Sequence, residues 1–388
     1  MGLPFDVLAF AGKEWNSHRQ RPHWIADELA GLGAEVLFVE NIGVRMPRTR
    51  DARHVILKLR NWARTTARSH PVPVHSNLSF DAPLVIPFQQ WMTARRIAAA
   101  LLTRRLQRRL TGERPLVVWT YLPMPVIRDV AQRLGAALVV YDWADDAAAH
   151  ALTRSARHRR RLARWEDEMA GAADLTFFSA AELLRRRGSV SRRPQLIPHG
   201  VAMGNSAQGE VPASLVGLPA PLVGYVGSIT EFTDLELLES LARARPEWSW
   251  VLAGPSRVRT RALRALPNVT LTGELAHEDA LRLLATLDAA VIPYKVNAAT
   301  EAASPVKVHE YLAAGLPVVS VDIPEVRHLG PEVTVASGLP QFLAALDQAV
   351  VRGRRPMVIP DRQDAWRDRV NEMVRCIVDE LEAADRGR

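Results

Sequence analysis

The sequence predicts an α/β protein built from two doubly wound domains, each with a central parallel sheet. Short apolar runs alternate with amphipathic stretches along the chain, which is the pattern of βαβ units. A stretch rich in proline and glycine near residue 210 interrupts this alternation, and the pattern restarts beyond it. The length of 388 residues also exceeds one typical domain. We therefore expect one domain over residues 1–210 and a second over residues 211–363.

Apolar runs and helical periodicity define the expected elements of the first domain. The runs that predict strands are Phe5–Ala11, Val36–Glu40, Leu116–Thr120, Leu138–Asp142 and Leu175–Ser179. The helical patterns between them are Pro22–Leu32, Thr93–Leu110 and Arg157–Ala170.

The second domain repeats the same alternation. Its predicted strands are Leu222–Gly227, Trp250–Ala253, Val269–Thr272, Ala289–Pro293 and Val318–Val321. Thr233 and Glu236 predict a capping box in front of a helix over Leu237–Ala244. The stretch Asp364–Ala384 is amphipathic and predicts a last helix. Ligands of doubly wound sheets bind at the carboxyl ends of the strands, so we expect the functional site there, facing a cleft between the domains.

The charge is distributed unevenly between the two halves. Residues 1–215 carry 31 basic and 19 acidic side chains, a net charge of +12, whereas residues 216–388 carry 19 and 23, a net charge of −4. A single cysteine, Cys376, excludes an internal disulfide framework and favours a reducing cytoplasm. Charged residues from Asp6 to Glu14 interrupt any secretory signal, and no stretch predicts a transmembrane helix. These features indicate a cytoplasmic protein.

Arginine accounts for the basic half. The clusters are Arg60, Arg64 and Arg68, then Arg95, Arg96, Arg104, Arg105, Arg108 and Arg109, and then Arg157, Arg159, Arg160, Arg161 and Arg164. The second cluster alternates with apolar residues from Ile97 to Leu110, which is typical of a basic amphipathic helix on an anionic membrane surface. A merely solvated face is the alternative, because 46 arginines against four lysines can reflect genome composition. Nucleic-acid binding ranks last, since Trp91 is the one aromatic residue near this cluster.

The segment from Ser304 to Ser320 carries the most informative chemistry. Ser304 suits the N-cap of a helix, Pro305 its first position, and Gly315 its end. Lys307 then opposes the helix dipole at the third position, which suggests that an anion binds there. Glu310 lies one turn later and could accept hydrogen bonds from sugar hydroxyls. The alternative is a Lys307–Glu310 ion pair on a solvated helix.

This segment resembles the donor-binding signature of GT-B glycosyltransferases, especially the retaining, GT4-like bacterial enzymes. The wider stretch also resembles transferases of bacterial surface polysaccharides of the teichuronic-acid type. Segments that match in order are Ile197–Val201, Gly224–Ile229, Leu252–Pro255, Leu266–Val269 and Ile292–Val326. The resemblance implies a GT-B fold of two Rossmann-like domains facing a cleft, with the C-terminal helix, residues 364–388, packing back towards the first domain.

The resemblance also implies roles in the second domain. Lys307 would stabilise the leaving diphosphate, and Glu310 would bind the nucleotide ribose. The remaining donor-binding residues would be Gly227 and Ser228 at the phosphates, Gly254 and Pro255 beside the base, and the backbone N–H groups after Ser304, in the Pro305–Val306 turn. Two departures from the family pattern are visible. Ala302 replaces the usual paired glutamate, with Glu301 one position off, and Ser228 and Asp234 stand where many members carry arginine and lysine.

The acceptor side has fewer signals. His18, Arg19 and Arg21 lie in a loop after the first strand and could meet acceptor or phosphate groups, although a solvated loop explains them equally well. Asp145 or Asp146 could orient an acceptor hydroxyl or act as a base; alternatively, they cap the next helix. His150 and His199 are further residues of this side, by analogy. No histidine or cysteine cluster has the spacing of metal ligands.

The expected function is a glycosyl transfer from a nucleotide-diphosphate sugar, most simply a UDP-sugar, to a hydroxyl of a glycan, lipid-linked or small-molecule acceptor. By resemblance we expect retention of configuration, a role in cell-surface glycan or glycolipid synthesis, and peripheral binding at the inner face of the membrane. Neither a tightly bound cofactor nor a metal is expected, and nucleic acid is not an expected partner. The alternatives are a nucleotide-sugar 2-epimerase of the same fold and a non-catalytic basic scaffold.

Overall fold

The computed structural model describes residues 2–17, 19–40, 75–83, 90–149, 155–201, 215–355 and 365–386. The chain forms two compact units, residues 1–198 with 366–388 and residues 199–365. Each unit contains one parallel sheet with helices in the connections, so the predicted fold class is confirmed. The sequence placed the boundaries at residues 210 and 363; both positions lie in or beside segments outside the described residues.

The first unit contains a seven-stranded sheet in the order β3-β2-β1-β4-β5-β6-β7, in which every neighbouring pair is parallel. The strands are β1 Asp6–Phe10, β2 Val36–Val39, β3 Leu78–Asp81, β4 Leu116–Thr120, β5 Leu138–Trp143, β6 Leu175–Phe178 and β7 Pro194–Leu196. Strands β1, β2 and β6 are buried along their whole length, as expected for a sheet covered on both faces.

Helices of the first unit are α1 Arg21–Gly31, α2 Met92–Gln107, α3 Pro125–Leu134, α4 Ala156–Ala172 and α5 Ala181–Arg187. A further helix, Trp366–Arg386, also belongs to this unit and contacts α1.

The second unit repeats this order with six parallel strands, β10-β9-β8-β11-β12-β13. These are β8 Leu222–Val226, β9 Ser249–Ala253, β10 Val269–Gly273, β11 Ala289–Ile292, β12 Val318–Ser320 and β13 Val333–Val335. The helices are α6 Leu235–Ala244, α7 Arg261–Arg264, α8 His277–Thr286, α9 Ala298–Glu301, α10 Val306–Ala313 and α11 Gly338–Arg352, and we number the helix Trp366–Arg386 of the first unit α12.

The start of α6 differs from the predicted capping box. Asp234 is the N-cap, and its Oδ1 accepts a hydrogen bond from the backbone N–H of Leu237 at 3.0 Å. The Thr233 hydroxyl instead accepts a bond from the N–H of Thr230, which closes the preceding turn. The prediction that Thr233 and Glu236 form the cap was wrong, because a local turn uses the threonine hydroxyl first.

Candidate functional site

The candidate site lies where the strand order of the second unit reverses. Strand β8 has β9 on one side and β11 on the other. The chain first adds β9 and β10 on one side of β8 and then crosses to add β11 on the other side. Gly227 and Ser228 follow β8, and Tyr294 follows β11 by two residues. Ligands of open α/β sheets bind at such switch points, outside the carboxyl ends of the strands.

Helix α10 begins at this edge, one residue later than predicted. Its N-cap is Pro305, in an extended conformation with φ −74° and ψ 96°, and no side chain caps the helix. The assignment of Ser304 as N-cap was therefore wrong, and Lys307 is the second helical residue rather than the third. The end of the helix is confirmed, since Gly315 takes a φ of 73° just after it.

The ammonium group of Lys307 is held by two phenols. Its Nζ donates to the hydroxyl oxygens of Tyr225 and Tyr294, each at 2.9 Å. Among the residues that the structure describes, no basic group forms an ion pair with Glu310 within 4 Å. The alternative of a Lys307–Glu310 ion pair on a solvated helix was therefore wrong.

The surroundings of Lys307 favour its charged form. Burial alone would lower the pKa of Lys307, but the oxygens of Tyr225 and Tyr294 beside the ammonium raise that pKa well above its ordinary value. Burial raises the pKa of Glu310, and the nearby charge of Lys307 opposes this rise. The site therefore combines a firmly charged lysine with a carboxyl group on the same short helix.

Two glycines allow the turns after β8 and β9 to meet. Gly227 has a φ of 147°, and a Cβ there would lie 2.7 Å from the Nζ of Lys307. Gly254 has a φ of 136°, and its Cβ would lie 2.3 Å from the carbonyl oxygen of Gly227. The N–H of Ile229 also donates to the carbonyl of Pro255 at 3.0 Å. The structure thus brings the predicted Gly227-Ser228 and Gly254-Pro255 turns together, with Lys307 against the first.

Three tyrosines of the site were missed by the sequence analysis. Tyr225 and Tyr294 contact Lys307, and the hydroxyl of Tyr311 both accepts from the N–H of Val226 at 2.8 Å and donates to its carbonyl at 3.0 Å. Tyr311 thereby fixes α10 to the end of β8. A signal was available, because Tyr225 and Tyr294 lie within or beside predicted strands near their carboxyl ends.

The position of the missing glutamate is filled by a small buried residue. Ala302 is 1% exposed. Glu301 is the last residue of α9, whose N-cap Asn297 forms a capping box with Thr300.

In the first unit, the structure gives Arg21 a different role from the predicted one. Its Nε donates to both carboxylate oxygens of Asp142, at 2.9 and 3.0 Å, and its Nη1 donates to the carbonyl of Pro198 at 3.1 Å. The guanidinium carbon also lies 6.0 Å from the centre of the Trp366 ring. Arg21 is 3% exposed, so the expectation that it meets an acceptor was wrong. It neutralises a buried carboxylate instead.

Arg19 is partly exposed but is also paired. Its Nη2 lies 2.7 Å from Asp27 Oδ2, and its guanidinium carbon lies 4.1 Å from the centre of the Trp24 ring. His18 and His150, the other residues of the predicted acceptor set in this unit, lie outside the described residues. His199 is the first residue of the second unit and is buried.

Around Arg19, two buried groups hold the loop that follows β1. The ring of His23 accepts from the N–H of Gln20 at 3.0 Å and lies 3.0 Å from the carbonyl of Glu14. Glu40 accepts from the N–H of Trp15 at 2.8 Å. Burial lowers the pKa of His23, so the ring is neutral and its second nitrogen donates to Glu14.

Asp145 and Asp146 follow β5 after one intervening residue, Ala144, at the carboxyl edge of its sheet. Asp145 is exposed, and Asp146 accepts a hydrogen bond from the N–H of Ala149 at 2.9 Å. The next helix that the structure describes, α4, begins at Ala156 with Ser155 as its N-cap, so the alternative that these acids cap it was wrong.

Glu166 is a buried acid that the sequence analysis missed. It lies on α4, is fully buried, and accepts a hydrogen bond from the N–H of Ala147 at 2.8 Å. Its second carboxylate oxygen is buried with no hydrogen-bond partner among the described residues. Burial, reinforced by the charge of Asp146, raises the pKa of Glu166 to about 8. Glu166 thus fixes the loop that carries Asp146.

This raised pKa predicts a pH-dependent stability. The unfolded chain loses the proton of Glu166 near pH 4.5, whereas the folded chain keeps it to about pH 8. Between these values the unfolded state binds fewer protons, so stability falls as pH rises. Glu166→Gln removes this loss. We therefore expect the free energy of unfolding of the variant, relative to that of wild type, to increase by about 2–5 kcal/mol from pH 5 to pH 8.5. Urea denaturation across this range measures it.

The control for this prediction is Glu168→Gln, on the same helix. Glu168 is partly exposed and pairs with Arg164 at 2.6 Å, so its removal should change stability little at any pH. If wild type and Glu166→Gln have parallel pH profiles, Glu166 does not carry a raised pKa.

The site and fold were compared with known proteins. Residues 220–352 match the family model described as glycosyl transferases group 1. This segment of the chain therefore matches a group 1 glycosyltransferase domain, in agreement with the resemblance seen in the sequence. The match contains Gly227, Gly254, Lys307 and Glu310.

A curated relative adds a more particular similarity. The chain is 31% identical over 114 residues to the putative teichuronic acid biosynthesis glycosyltransferase TuaH of Bacillus subtilis. The alignment covers 28% of this chain and 29% of the relative, so it spans less than a third of that protein. The predicted resemblance to transferases of the teichuronic-acid type is confirmed over this part.

Solved structures resemble the chain over nearly its whole length. Sucrose-phosphate synthase from Thermosynechococcus elongatus has a TM-score of 0.63 at 16% identity and covers 98% of both chains. A structure described as trehalose-6-phosphate from E. coli bound with UDP-2-fluoro glucose has a TM-score of 0.59 at 12% identity, covering 98% of this chain and 97% of the other. The lipopolysaccharide outer core galactosyltransferase WaaB scores 0.59 at 12% identity, with coverage of 96% and 99%. These similarities confirm the GT-B fold.

Two further properties concern metals and membranes. Within the described ranges, no group of three or more His, Cys, Asp or Glu residues could hold a metal ion. None of the helices described is both long and apolar enough to cross a membrane.

Proposed function

We propose that this protein transfers a sugar from a nucleotide-diphosphate sugar to an acceptor hydroxyl, and that its second unit binds the donor. The observation that carries this proposal is the fixed ammonium of Lys307 at the switch point of the sheet, against the Gly227 turn. An oriented cation at a helix start is suited to a leaving group that gains negative charge.

The donor diphosphate would bind at the first turn of α10. A lysine ammonium has three N–H groups, and two of those of Lys307 are donated to tyrosines. Within the described residues, the third N–H and the backbone N–H groups of Val306 and Lys307 have no acceptor. These donors belong to the first turn of α10, at the positive end of the helix dipole. Ser304 and Pro305 lead the chain into this turn.

The remaining donor contacts follow from the same edge of the sheet. Gly227 and Ser228 would lie beside the phosphates, because the missing side chain of Gly227 leaves room for the Lys307 ammonium against this turn. Glu310, one turn along α10 from Lys307, would accept hydrogen bonds from the ribose hydroxyls. The Gly254-Pro255 turn would flank the base. A uridine nucleotide is supported by the structural neighbour from E. coli, which is bound with UDP-2-fluoro glucose.

We assign the acceptor hydroxyl to the first unit. Asp145 and Asp146 remain the proposed acceptor-orienting acids, since both follow a strand at the carboxyl edge of the sheet. His18, Arg19 and His150 of the first unit stay in the proposed acceptor set together with His199, the first residue of the second unit, and Arg21 does not. Retention of anomeric configuration rests on the resemblance to GT4-like enzymes, and a metal is not part of the proposed mechanism.

The experiment is a thermal-shift panel of UDP-, GDP-, dTDP- and ADP-sugars, followed by a product assay with and without acceptor. One nucleotide class should raise the thermal midpoint, and consumption of that donor should require an acceptor. Conversion of the donor alone would identify an epimerase. If none of the nucleotide sugars raises the thermal midpoint, the proposed function is overturned and the alternative of a non-catalytic scaffold is favoured.

We further propose that α2 docks on an anionic membrane surface, in keeping with a role in cell-envelope glycan synthesis. Large apolar side chains on this segment are between 51% and 60% exposed, and they are Trp91, Met92, Ile97 and Leu101. Arg96, Arg104 and Arg108 are exposed beside them, whereas Arg95 and Arg105 pair with Asp129 and Asp81. An apolar and cationic helix face without acidic residues is complementary to anionic lipid.

Vesicle sedimentation tests this surface. Replacing Arg96, Arg104 and Arg108 by glutamine should weaken binding to phosphatidylglycerol-containing vesicles about 100-fold, at about 1 kcal/mol for each arginine. The matched control is the exchange of Arg243, an exposed arginine of the second unit that pairs with Glu239, for glutamine. Unchanged vesicle binding by the triple variant would rule out α2 as the docking element.

A further inference from the structure

The two tyrosines around Lys307 contact it through their hydroxyl groups as well as filling space with their rings. The ring of Tyr225 is buried in the sheet, yet its oxygen accepts from Lys307 and donates to the carbonyl of Ser228 at 2.9 Å. The oxygen of Tyr294 accepts from Lys307 from the far side of the switch point, after β11. Phenylalanine would fill the same space without these oxygens, so burial of the rings does not account for them.

The ammonium of Lys307 also has little freedom to move elsewhere. The Gly227 backbone lies so close that an added Cβ would be 2.7 Å from Nζ and 2.9 Å from Cε. A lysine side chain is a flexible four-carbon stem with a compact charge, so the direction of its ammonium group is set by the groups that contact it. Here the partners on three sides are Gly227, Tyr225 and Tyr294.

Lys307 supplies the cation that lies against the Gly227 turn. Gly227-Ser228 and Gly254-Pro255 contain no basic side chain. The direction of the Lys307 ammonium would therefore affect how well it meets a phosphate oxygen beside Gly227.

We propose that Tyr225 and Tyr294 are positioning residues that direct the remaining N–H of Lys307 towards the leaving diphosphate. This inference rests on the proposed function and assigns the tyrosines a part in it. They act through Lys307, and Tyr225 additionally ties the lysine to the turn that would contact the phosphates. Tyr311 differs from both, since its hydroxyl fixes the helix to Val226.

A double-mutant cycle tests this role. Tyr225→Phe, Tyr294→Phe and the double variant are made in the wild type and in the Lys307→Ala background, and donor turnover is followed under single-turnover conditions. In the wild type, each exchange should lower kcat about 5- to 10-fold and the pair about 30- to 100-fold, with a smaller change in the donor KM. In the Lys307→Ala background the same exchanges should cost less than 2-fold, because the group that they direct is gone.

Tyr311→Phe is the comparison. It removes a tyrosine hydroxyl that contacts the backbone of Val226, so it should lower the thermal midpoint by the same amount in both backgrounds. Wild-type kcat in the Phe variants, or equal losses with and without Lys307, would overturn the positioning role and leave the proposed function intact. A wild-type protein that neither binds nor consumes any nucleotide sugar would overturn both.

Discussion

Lys307→Ala is expected to lower donor turnover by about 10²- to 10³-fold, because removal of one preorganised donor to a developing negative charge has an effect of this size. The thermal midpoint should change little. The side chain of Lys307 is partly exposed, so water can take its place as a partner of the two phenols. Single-turnover kinetics with the donor identified in the panel, together with thermal melts, measure both quantities.

The control for Lys307 is Lys295→Ala. Lys295 is an exposed lysine of the same unit, one residue beyond Tyr294, and its removal should leave turnover nearly unchanged. Near-normal turnover by Lys307→Ala would contradict the assignment of the donor site, whatever the melting curves show.

Arg21→Met is expected to destabilise the first unit by about 3–5 kcal/mol, the range for breaking a buried ion pair at one partner. Asp142 would then remain fully buried without its counter-ion. Burial already raises the pKa of Asp142 despite the opposing charge of Arg21. Urea denaturation at neutral pH, followed by a signal from the first unit, measures the loss.

A matched variant separates this effect from the loss of any arginine in the loop. Arg19→Met removes an ion pair with Asp27 whose side chains are 30% and 20% exposed, and should cost about 1 kcal/mol or less. Adding Asp142→Asn to Arg21→Met should recover part of the stability by removing the stranded charge. Equal costs for the two arginines would refute the structural role of Arg21.

The fold could be predicted because alternating apolar runs leave a clear pattern wherever a strand is long and buried. Strand β4 was predicted with its observed ends, and β1 within one residue at each end. The missed strands were β3, β7 and β13, which have three or four residues and include polar or exposed positions. Each of these strands lies at the edge of its sheet and has a neighbouring strand on one side only. Its residues are less covered than those of a central strand, so they need not be apolar.

The candidate site could be predicted only where its residues are close in sequence. The glycine turns and the segment from Lys307 to Glu310 are local motifs. The bond between Lys307 and Tyr225 joins residues 82 positions apart, and the Arg21–Asp142 pair joins residues 121 positions apart. No local pattern reports such pairs. The error at Ser304 is of another kind, since Pro305 itself takes the extended conformation of the cap.

The contacts of Arg21 have a consequence for the order in which the chain is completed during synthesis. One guanidinium contacts both Pro198, where the chain leaves the first unit, and Trp366, where it returns. Residues 199–365 are continuous and can fold as soon as they emerge from the ribosome. The first unit is complete only after α12, near the end of the chain, has been synthesised. The unit that is translated first is thus finished last, and until then the face of α1 that receives this helix is uncovered.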